Sequence, residues 1–538
     1  MTDWHFATAY EIIADSIGDK PALICGDITR SWDEYDDRAA RIATVLTEHG
    51  LKPESKAGIY LHNSNEYLEV HHGVMKLRGC PINVNYRYRE DELVYLLNNA
   101  DAEAVIYQAC YADRIESIRE RLDKVKCFIQ VDDDSGNTLL NGALDYEQAI
   151  AASVPMARIN RSAEDLYMLY TGGTTGLPKG VMFANGELCI AMSSLGEMTG
   201  APVPETVDQL SGCIAQSTAQ NILPIGLVCC PLMHGTGMWL GAMLPNLAGG
   251  ATLTINHLGL DPDQLWQEAI RHKASIATIV GDAFARPMLS ALDAAVDRGE
   301  PYDISNVKLM ISSGVMWSKE IKEGLLRHND MTLFDAIGST EGSMGSSVTT
   351  RDAVTPTAKF ELGENVSVFD DNDHEVQPGS GEMGMVGTQS PMRGYYKDPE
   401  KTAKTVREID GGRWVFPGDY ATIDADGTLN LLGRGSMCIN TAGEKVFPEE
   451  VEEALKSHSE VEDCLVVGVP DERFGEKVAA VVSLRGESTE TELIDFCREH
   501  IAGYKLPKHV LLVTHVQRAP NGKADYKWAK QTALDLLG

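Results

Sequence analysis

The segment Leu169-Tyr170-Thr171-Gly172-Gly173-Thr174-Thr175-Gly176-Leu177-Pro178-Lys179-Gly180 sets three glycines and three threonines in six consecutive positions, followed by a lysine. Glycine leaves backbone N–H groups uncovered, threonine adds hydroxyl donors and lysine adds a cation. Such a nest suits the polyphosphate of a nucleotide. It is not a Walker A loop, because Pro178-Lys179-Gly180 stands where Gly-Lys-Ser/Thr would be required. Three further places hold chemically useful side chains beside glycines: Gly338-Ser339-Thr340-Glu341, Gly418-Asp419 and Gly522-Lys523. Each has an ordinary reading alone. Thr340-Glu341 fits a helix start, Asp419 fits a turn, and Lys523 after Asn521-Gly522 fits a solvated turn lysine.

Their order along the chain favours chemistry. The glycine-threonine loop resembles the phosphate loop of the acyl-adenylate-forming superfamily, which includes acyl-CoA synthetases, peptide-synthetase adenylation domains and insect luciferases. Gly338-Ser339-Thr340-Glu341 looks like that family's Gly-x-Thr-Glu motif, and Gly381-Glu382 with Gly394-Tyr395-Tyr396-Lys397-Asp398-Pro399 its next block. Trp414-Val415-Phe416-Pro417-Gly418-Asp419, Gly433-Arg434, Gly443-Glu444-Lys445-Val446-Phe447-Pro448 and Pro520-Asn521-Gly522-Lys523 continue the resemblance to the C-terminus.

The resemblance implies a two-step reaction. A carboxylate oxygen attacks the α-phosphate of ATP, pyrophosphate leaves, and a thiol then takes the acyl group. Charge gathers on the phosphoryl oxygens in the first step, which calls for cations and aimed donors. By resemblance, Thr171, Gly172, Gly173, Thr174, Thr175, Gly176 and Lys179 hold the β- and γ-phosphates, and Thr340 contacts the α-phosphate. Glu341 binds Mg²⁺, as a hard carboxylate should. Asp419 accepts the ribose hydroxyls with help from Arg434, and Lys523 bridges the attacking carboxylate and the α-phosphate. Ser313, Gly314, Asp335, Ala336, Gly338 and Ser339 frame the nucleotide. Many relatives place an aromatic residue against adenine where this chain has Ile337, so adenine is expected to rest on an aliphatic side chain. The hinge, Gly435-Ser436, also departs from the usual Asp or Lys at its second residue.

Ala442-Gly443 is the expected tunnel for a pantetheine arm, and with no carrier module after Gly538 free coenzyme A is the expected acceptor. His234 is expected to gate the acyl site, against the alternative of a packed histidine at a strand end. Gly235-x-Gly237 follows a strand, but Leu240 in the third position spoils a dinucleotide fingerprint. An apolar acyl pocket is expected from Met233, Met238, Trp239, Val280, Gly281, Phe284, Val315 and Met316, suiting a long or bulky acid. Some of these fit equally well as core. Residues 199–220, polar and prolyl, are expected to cover the acyl entrance. The phrases Val280 to Pro287, Leu432 to Ser436 and Asn440 to Glu452 look like bacterial long-chain and steroid-side-chain acyl-CoA synthetases. An aryl- or substituted-acid CoA ligase is the alternative. A luciferase-like oxygenase or a non-catalytic adenylate binder fits less well, because the phosphate loop and Lys523 are both present.

The elements that must position these residues follow from hydrophobic spacing. The chain has 538 residues, 47 basic against 79 acidic, and a net charge of −32, which argues against nucleic acid or anionic membranes as partners. No secretory signal or spanning segment is visible, and the eleven cysteines form no CxxC, so a cytoplasmic protein with reduced thiols is expected. Expected partners are the acid, ATP and coenzyme A, with a homodimer as the macromolecular option.

Helical and strand patterns alternate from Arg38 to Val131 and again from Leu227 to Ser312. Among them, residues 38–50 and Tyr111 to Leu122 read as single helices. After the hinge, Pro448 opens a helix, strands follow, and Thr489 with Glu492 has capping-box spacing. The expectation is an α/β protein: an N-terminal domain, 1–433, of mixed sheets covered by helices, and a small mobile α+β domain, 434–538.

Overall fold

The computed structural model describes residues 3–171, 177–255, 259–441, 444–471, 475–519 and 522–537. Its largest sheet runs parallel through Pro21–Cys25, Ala251–Thr254, Ile225–Val228, Ile276–Ile279, Leu309–Ser313 and Thr332–Ser339. The inner strands Ala251–Thr254 and Ile276–Ile279 are short runs buried along their whole length, as a parallel sheet covered on both faces requires. At Thr332–Ser339 the sheet changes character. That strand is parallel to one neighbour but antiparallel to the next, Gly342–Thr349, with Ser339 opposite Gly342. Thr340 and Glu341 therefore form a two-residue hairpin turn, not a helix start. An antiparallel region continues through Lys359–Leu362, Thr428–Arg434 and Asp419–Ile423.

A second sheet, wholly parallel, holds Cys80–Asn83, Lys56–Tyr60, Ala102–Gln108, Cys127–Val131 and Leu144–Asp145. The expected helix from Arg38 starts earlier, at Trp32, because Ser31 caps it and Glu34 closes a capping box. The expected single helix from Tyr111 to Leu122 is instead Ala112–Ile118 flanked by 3₁₀ turns. The segment 199–220 is not a lid over the acyl site. It contains the helix Leu210–Ala219, whose Leu210 and Ile214 join the core. A methyl group on Gly249 would lie 2.7 Å from Ile214 and 3.4 Å from Ile17, so this helix packs where Ala251–Thr254 begins. Ser313 and Ser339 lie at the opposite, carboxyl ends of their strands.

The strand Thr428–Arg434 ends at the 3₁₀ turn Gly435–Met437, and a separate core begins at Ile439. There, Val461–Asp471 and Gly475–Leu484 pair antiparallel, and His509–Val513 adds parallel to the latter. Thr489 and Glu492 form the expected capping box on Glu490–His500. Among the described residues no two cysteines are joined by a disulfide. Among the described residues no helix is long and apolar enough to cross a membrane.

Candidate functional site

The phosphate loop joins two paired strands, Leu166–Thr171 and Lys179–Ala184, with Thr171 opposite Lys179. Gly172, Gly173, Thr174, Thr175 and Gly176 lie outside the described residues. Lys179 donates its Nζ to Asp398 Oδ2 at 2.5 Å. Asp398 also caps the helix Pro399–Thr405 through Lys401 N at 2.9 Å, so one carboxylate ties the loop's lysine to the next motif. The Lys179 ammonium holds Asp398 below the usual carboxylate range. The ammonium has three N–H donors, so Asp398 occupies one and leaves others for a ligand.

Glu341 is fixed from the same side. Tyr395, only 4% exposed, donates its hydroxyl to Glu341 Oε1 at 2.6 Å, and the Glu341 backbone N–H donates to Ser339 Oγ at 3.2 Å. One fixed carboxylate is what Mg²⁺ asks of a protein when phosphate oxygens complete its shell. Among the described residues no group of three metal-ligating side chains occurs.

Asp419 stands opposite Arg434 across two antiparallel strands, with Arg434 Nε 3.4 Å from its Oδ1. It is 7% exposed, and Oδ2 is buried without a hydrogen-bond partner. Leaving a buried carboxylate oxygen unpaired costs stability. Burial accordingly pushes its pKa up, with Arg434 pulling the other way. A ligand hydroxyl is the missing partner this atom can accept from. Behind it, Gly433 has a φ of +129° that favours glycine, and a methyl there would fall 2.2 Å from Glu449 Oε2 on the small domain's Pro448–Lys456 helix. Burial, and then Glu452, push the Glu449 carboxyl up to about 8, which keeps it neutral beside Asp419 at neutral pH.

Lys523 comes to this group from the small domain. A methyl on Gly522 would lie 2.6 Å from Ala283 and 3.5 Å from the Phe284 ring, and one on Gly314 would lie 4.0 Å from Lys523 Cε. The lysine is reachable by solvent, but the surrounding protein and Arg434 push its ammonium pKa down, while Glu341 and Asp419 oppose that. Lys523 and burial together hold His234 neutral, near 3. His234 ends the turn after Ile225–Val228 and precedes a π-helix, Thr236–Met243. Gly237 is obligatory there: a methyl on it would sit 2.3 Å from the Pro231 carbonyl oxygen.

Ser313 and Ala336 are register partners at the cleft end of adjacent parallel strands. Asp335 points the other way, into a buried pair in which Lys322 donates at 2.9 Å, so its side chain is not available to frame adenine. Desolvation lifts Asp335 to about 6 despite that lysine. Ile337 is 9% exposed and packs with Met344 and Phe360, leaving only an edge for adenine. Ser436 is described in its backbone alone, at the 3₁₀ turn with Gly435, and Ala442 and Gly443 lie outside the described residues.

The expected acyl residues separate into two groups. Val280, Gly281, Val315 and Met316 converge, because Asp282 N–H donates to the Met316 carbonyl at 3.0 Å and Gly281 N–H donates to Ser312 Oγ at 2.9 Å. Met233 and Met238 are only 1% and 2% exposed, and Trp239 donates to Tyr167 Oη at 3.4 Å while packing edge-on to Phe183. Met238 lines a small pocket with Tyr167, Leu169 and Leu232. Phe284 instead walls a small cavity of about 90 Å³ with Val228, Cys229, Ile255 and Leu265. Its far side is polar: His62, Asn63, Tyr86 and Arg87. The sequence reading missed these four. The signal was present, since they follow the strands Lys56–Tyr60 and Cys80–Asn83, and ligands favour the carboxyl ends of parallel strands.

Residues 11–396 match the family described as AMP-binding enzyme, and residues 450–523 match its C-terminal domain. The chain is 40% identical over 546 residues to the 3-oxocholest-4-en-26-oate--CoA ligase of Rhodococcus rhodochrous, covering 98% of this chain and 96% of that protein. It is 37% identical over 538 residues to a medium/long-chain-fatty-acid--CoA/3-oxocholest-4-en-26-oate--CoA ligase of Mycolicibacterium smegmatis, again covering 98% and 96%. The fold matches that of the anthranilate CoA ligase AuaEII bound to anthranoyl-AMP, with a TM-score of 0.84 at 21% identity over 99% of both chains. It also matches ATP-bound MatB of Rhodopseudomonas palustris, at 0.79 and 23% identity, over 99% of this chain and 100% of that one. With the convergent Glu341, Asp419, Arg434 and Lys523 and a family match over most of its length, this chain belongs to the AMP-binding enzyme family.

Proposed function

We propose that the protein is an AMP-forming acyl-CoA synthetase for hydrophobic carboxylic acids, of the long-chain fatty or steroid side-chain type. The observation that carries this reading is the meeting of Lys523 with Glu341, Asp419 and Arg434 around a buried, unpartnered Asp419 oxygen. In this reading Asp419 accepts from the ribose. Lys523 lies between the incoming carboxylate and the α-phosphate, and stabilises the charge that develops there. Mg²⁺, when bound, neutralises phosphate charge. Thr340 and Glu341 hold that end of the nucleotide from the hairpin turn. His234 stays neutral and so does not compete with Lys523 for the carboxylate. The small domain, 434–538, then turns at Gly435-Ser436 so that Ala442-Gly443 replaces Lys523 and admits the thiol of coenzyme A.

The apolar wall of Phe284, Ile255 and Leu265 supports a hydrophobic acid, as do the relatives named for such substrates. The test is product analysis with ATP, Mg²⁺, coenzyme A and straight-chain acids of graded length beside sterol-derived and aromatic acids. AMP, pyrophosphate and thioester should form in equal amounts, fastest with long or polycyclic acids. AMP without thioester, or a preference for acetate or benzoate, would contradict the proposal.

A further inference from the structure

Lys523 sits in a turn that is braced from within the small domain, and Arg518 is the brace. Its Nε donates to Asp463 Oδ2 at 2.6 Å and its Nη2 to Asp463 Oδ1 at 2.7 Å, while Nη1 donates to the Gly522 carbonyl at 3.1 Å. One planar guanidinium, its donors in a fixed fork, ties the peptide just before Lys523 to a carboxylate on Val461–Asp471. Asp463 is itself held. Its Oδ1 accepts from Cys464 N–H at 2.8 Å and lies 3.4 Å from Lys456 Nζ. Burial pushes the Asp463 carboxyl up, but Arg518 and Lys456 outweigh it and hold it at about 2, so the pair stays ionised at neutral pH. The two side chains are 17% and 23% exposed, which shields the pair better than an exposed one.

The turn closes on itself beside this brace. Ala519 N–H donates to the Lys523 carbonyl and Gly522 N–H to the Ala519 carbonyl, both at 2.8 Å, and Arg518 pairs across the turn with Ala524. Beyond it, the helix Tyr526–Leu537 packs Ala529 and Ala533 with Leu465 and Val467 of the same strand. The turn is therefore anchored to Val461–Asp471 on both sides, by apolar packing after it and by Arg518 before it. Gly522, with a φ of +75°, is the residue that most needs such a hold, because glycine has the widest choice of backbone conformation. Resting on the ligase reading above, we propose that Arg518 is a positioning residue for adenylation: through the Gly522 carbonyl it fixes the direction in which Lys523 points, and Asp463 fixes Arg518. Lys523 then arrives at the α-phosphate already aimed whenever the small domain docks. Arg518 acts through that peptide and not on the reacting atoms.

The test measures both half-reactions in Arg518→Met, Arg518→Lys and the double variant Asp463→Asn/Arg518→Met, beside Lys523→Ala. Arg518→Met should lower kcat for adenylate formation by about tenfold, since misplacing a catalytic group by ~1 Å costs on the order of a hundredfold. KM for ATP and for the acid should stay within about twofold, and so should thioester formation from presynthesised acyl-AMP, because neither depends on where Lys523 points. Thioester formation by the same preparation is the internal measure of folded protein. Arg518→Lys should recover part of the adenylation rate: it can pair with Asp463, but a point charge cannot hold that carboxylate and the Gly522 carbonyl in one rigid plane. The double variant separates aim from stability. It removes the lone carboxylate that Arg518→Met leaves behind, so a loss due to that charge alone would be restored, whereas a loss of aim persists. Restored adenylation in the double variant, a normal rate in Arg518→Met, or equal losses in both half-reactions would overturn the inference while Lys523→Ala still slows adenylation selectively. If Lys523→Ala does not do so, the ligase reading's use of Lys523 fails as well.

Discussion

Lys523→Ala should lower the rate of adenylate formation by about a hundred- to a thousandfold, the usual effect of removing one preorganised donor from a developing oxyanion. That is roughly 2.7–4 kcal/mol on the barrier. Thioester formation from presynthesised acyl-AMP should stay within about threefold of the wild type, because the second step needs this lysine elsewhere. The contrast follows from position. Lys523 meets Glu341, Asp419 and Arg434 while the small domain lies against Ala283 and Phe284, and in the proposed rotation it leaves with that domain. Single-turnover assays of each half-reaction read the two numbers separately. Equal losses in both steps would show that Lys523 holds the structure together and does not act on the first step alone.

Asp419→Asn should raise the KM for ATP by about tenfold to a hundredfold, as expected when a hydrogen bond to a charged acceptor worth about 1.5–3 kcal/mol is lost. The KM for the acid should move much less. The free protein should be as stable as the wild type or more so. Asp419 is buried with one oxygen unpaired and its pKa pushed up, so the amide relieves a cost that the carboxylate bears only for its ligand. Thermal unfolding without nucleotide, paired with ATP titration, reads both quantities. A lower Tm with an unchanged KM would mean that Asp419 serves only its ion pair with Arg434.

The residues legible in the sequence were those whose meaning is local. Thr489 and Glu492 announced a capping box, and Pro448 opened its helix at the first position. Gly338 to Glu341 and Gly418-Asp419 pointed to a site from their order alone, and the fold brings both to the place where the large sheet turns from parallel to antiparallel. What the sequence hid was decided by distant partners. Lys179 meets Asp398 across 219 residues, and Glu341 meets Tyr395 across 54. Nothing in Leu232-Met233 or Met238-Trp239 says that Trp239 meets Phe183 and Tyr167, both distant in the chain. Residues 199–220 read as a lid because they are polar, yet Leu210 and Ile214 at helical spacing seat that helix in the core near the start of Ala251–Thr254.

Position also explains how function strains the fold. Glu449, Asp419 and Glu341 gather within one acidic group around a single arginine, Arg434, and the lysine that completes it arrives on another domain. An arrangement optimised for stability would pair these charges in place. Here Asp419 keeps an oxygen free and Glu449 takes up a proton instead, as functional sites do when an incoming ligand supplies the missing partners.

The central claim is that a carboxylate oxygen of the acid attacks the α-phosphate of ATP before the thiol acts. The most direct measurement uses an acid with both carboxylate oxygens replaced by ¹⁸O, turned over with unlabelled ATP and coenzyme A, followed by mass analysis of every product. Attack at the α-phosphate transfers one acid oxygen to phosphorus, and the thiol then expels AMP carrying it. AMP should therefore gain one ¹⁸O per turnover, the thioester should keep the other, and pyrophosphate should gain none. Label in pyrophosphate or inorganic phosphate, with unlabelled AMP, would contradict the account.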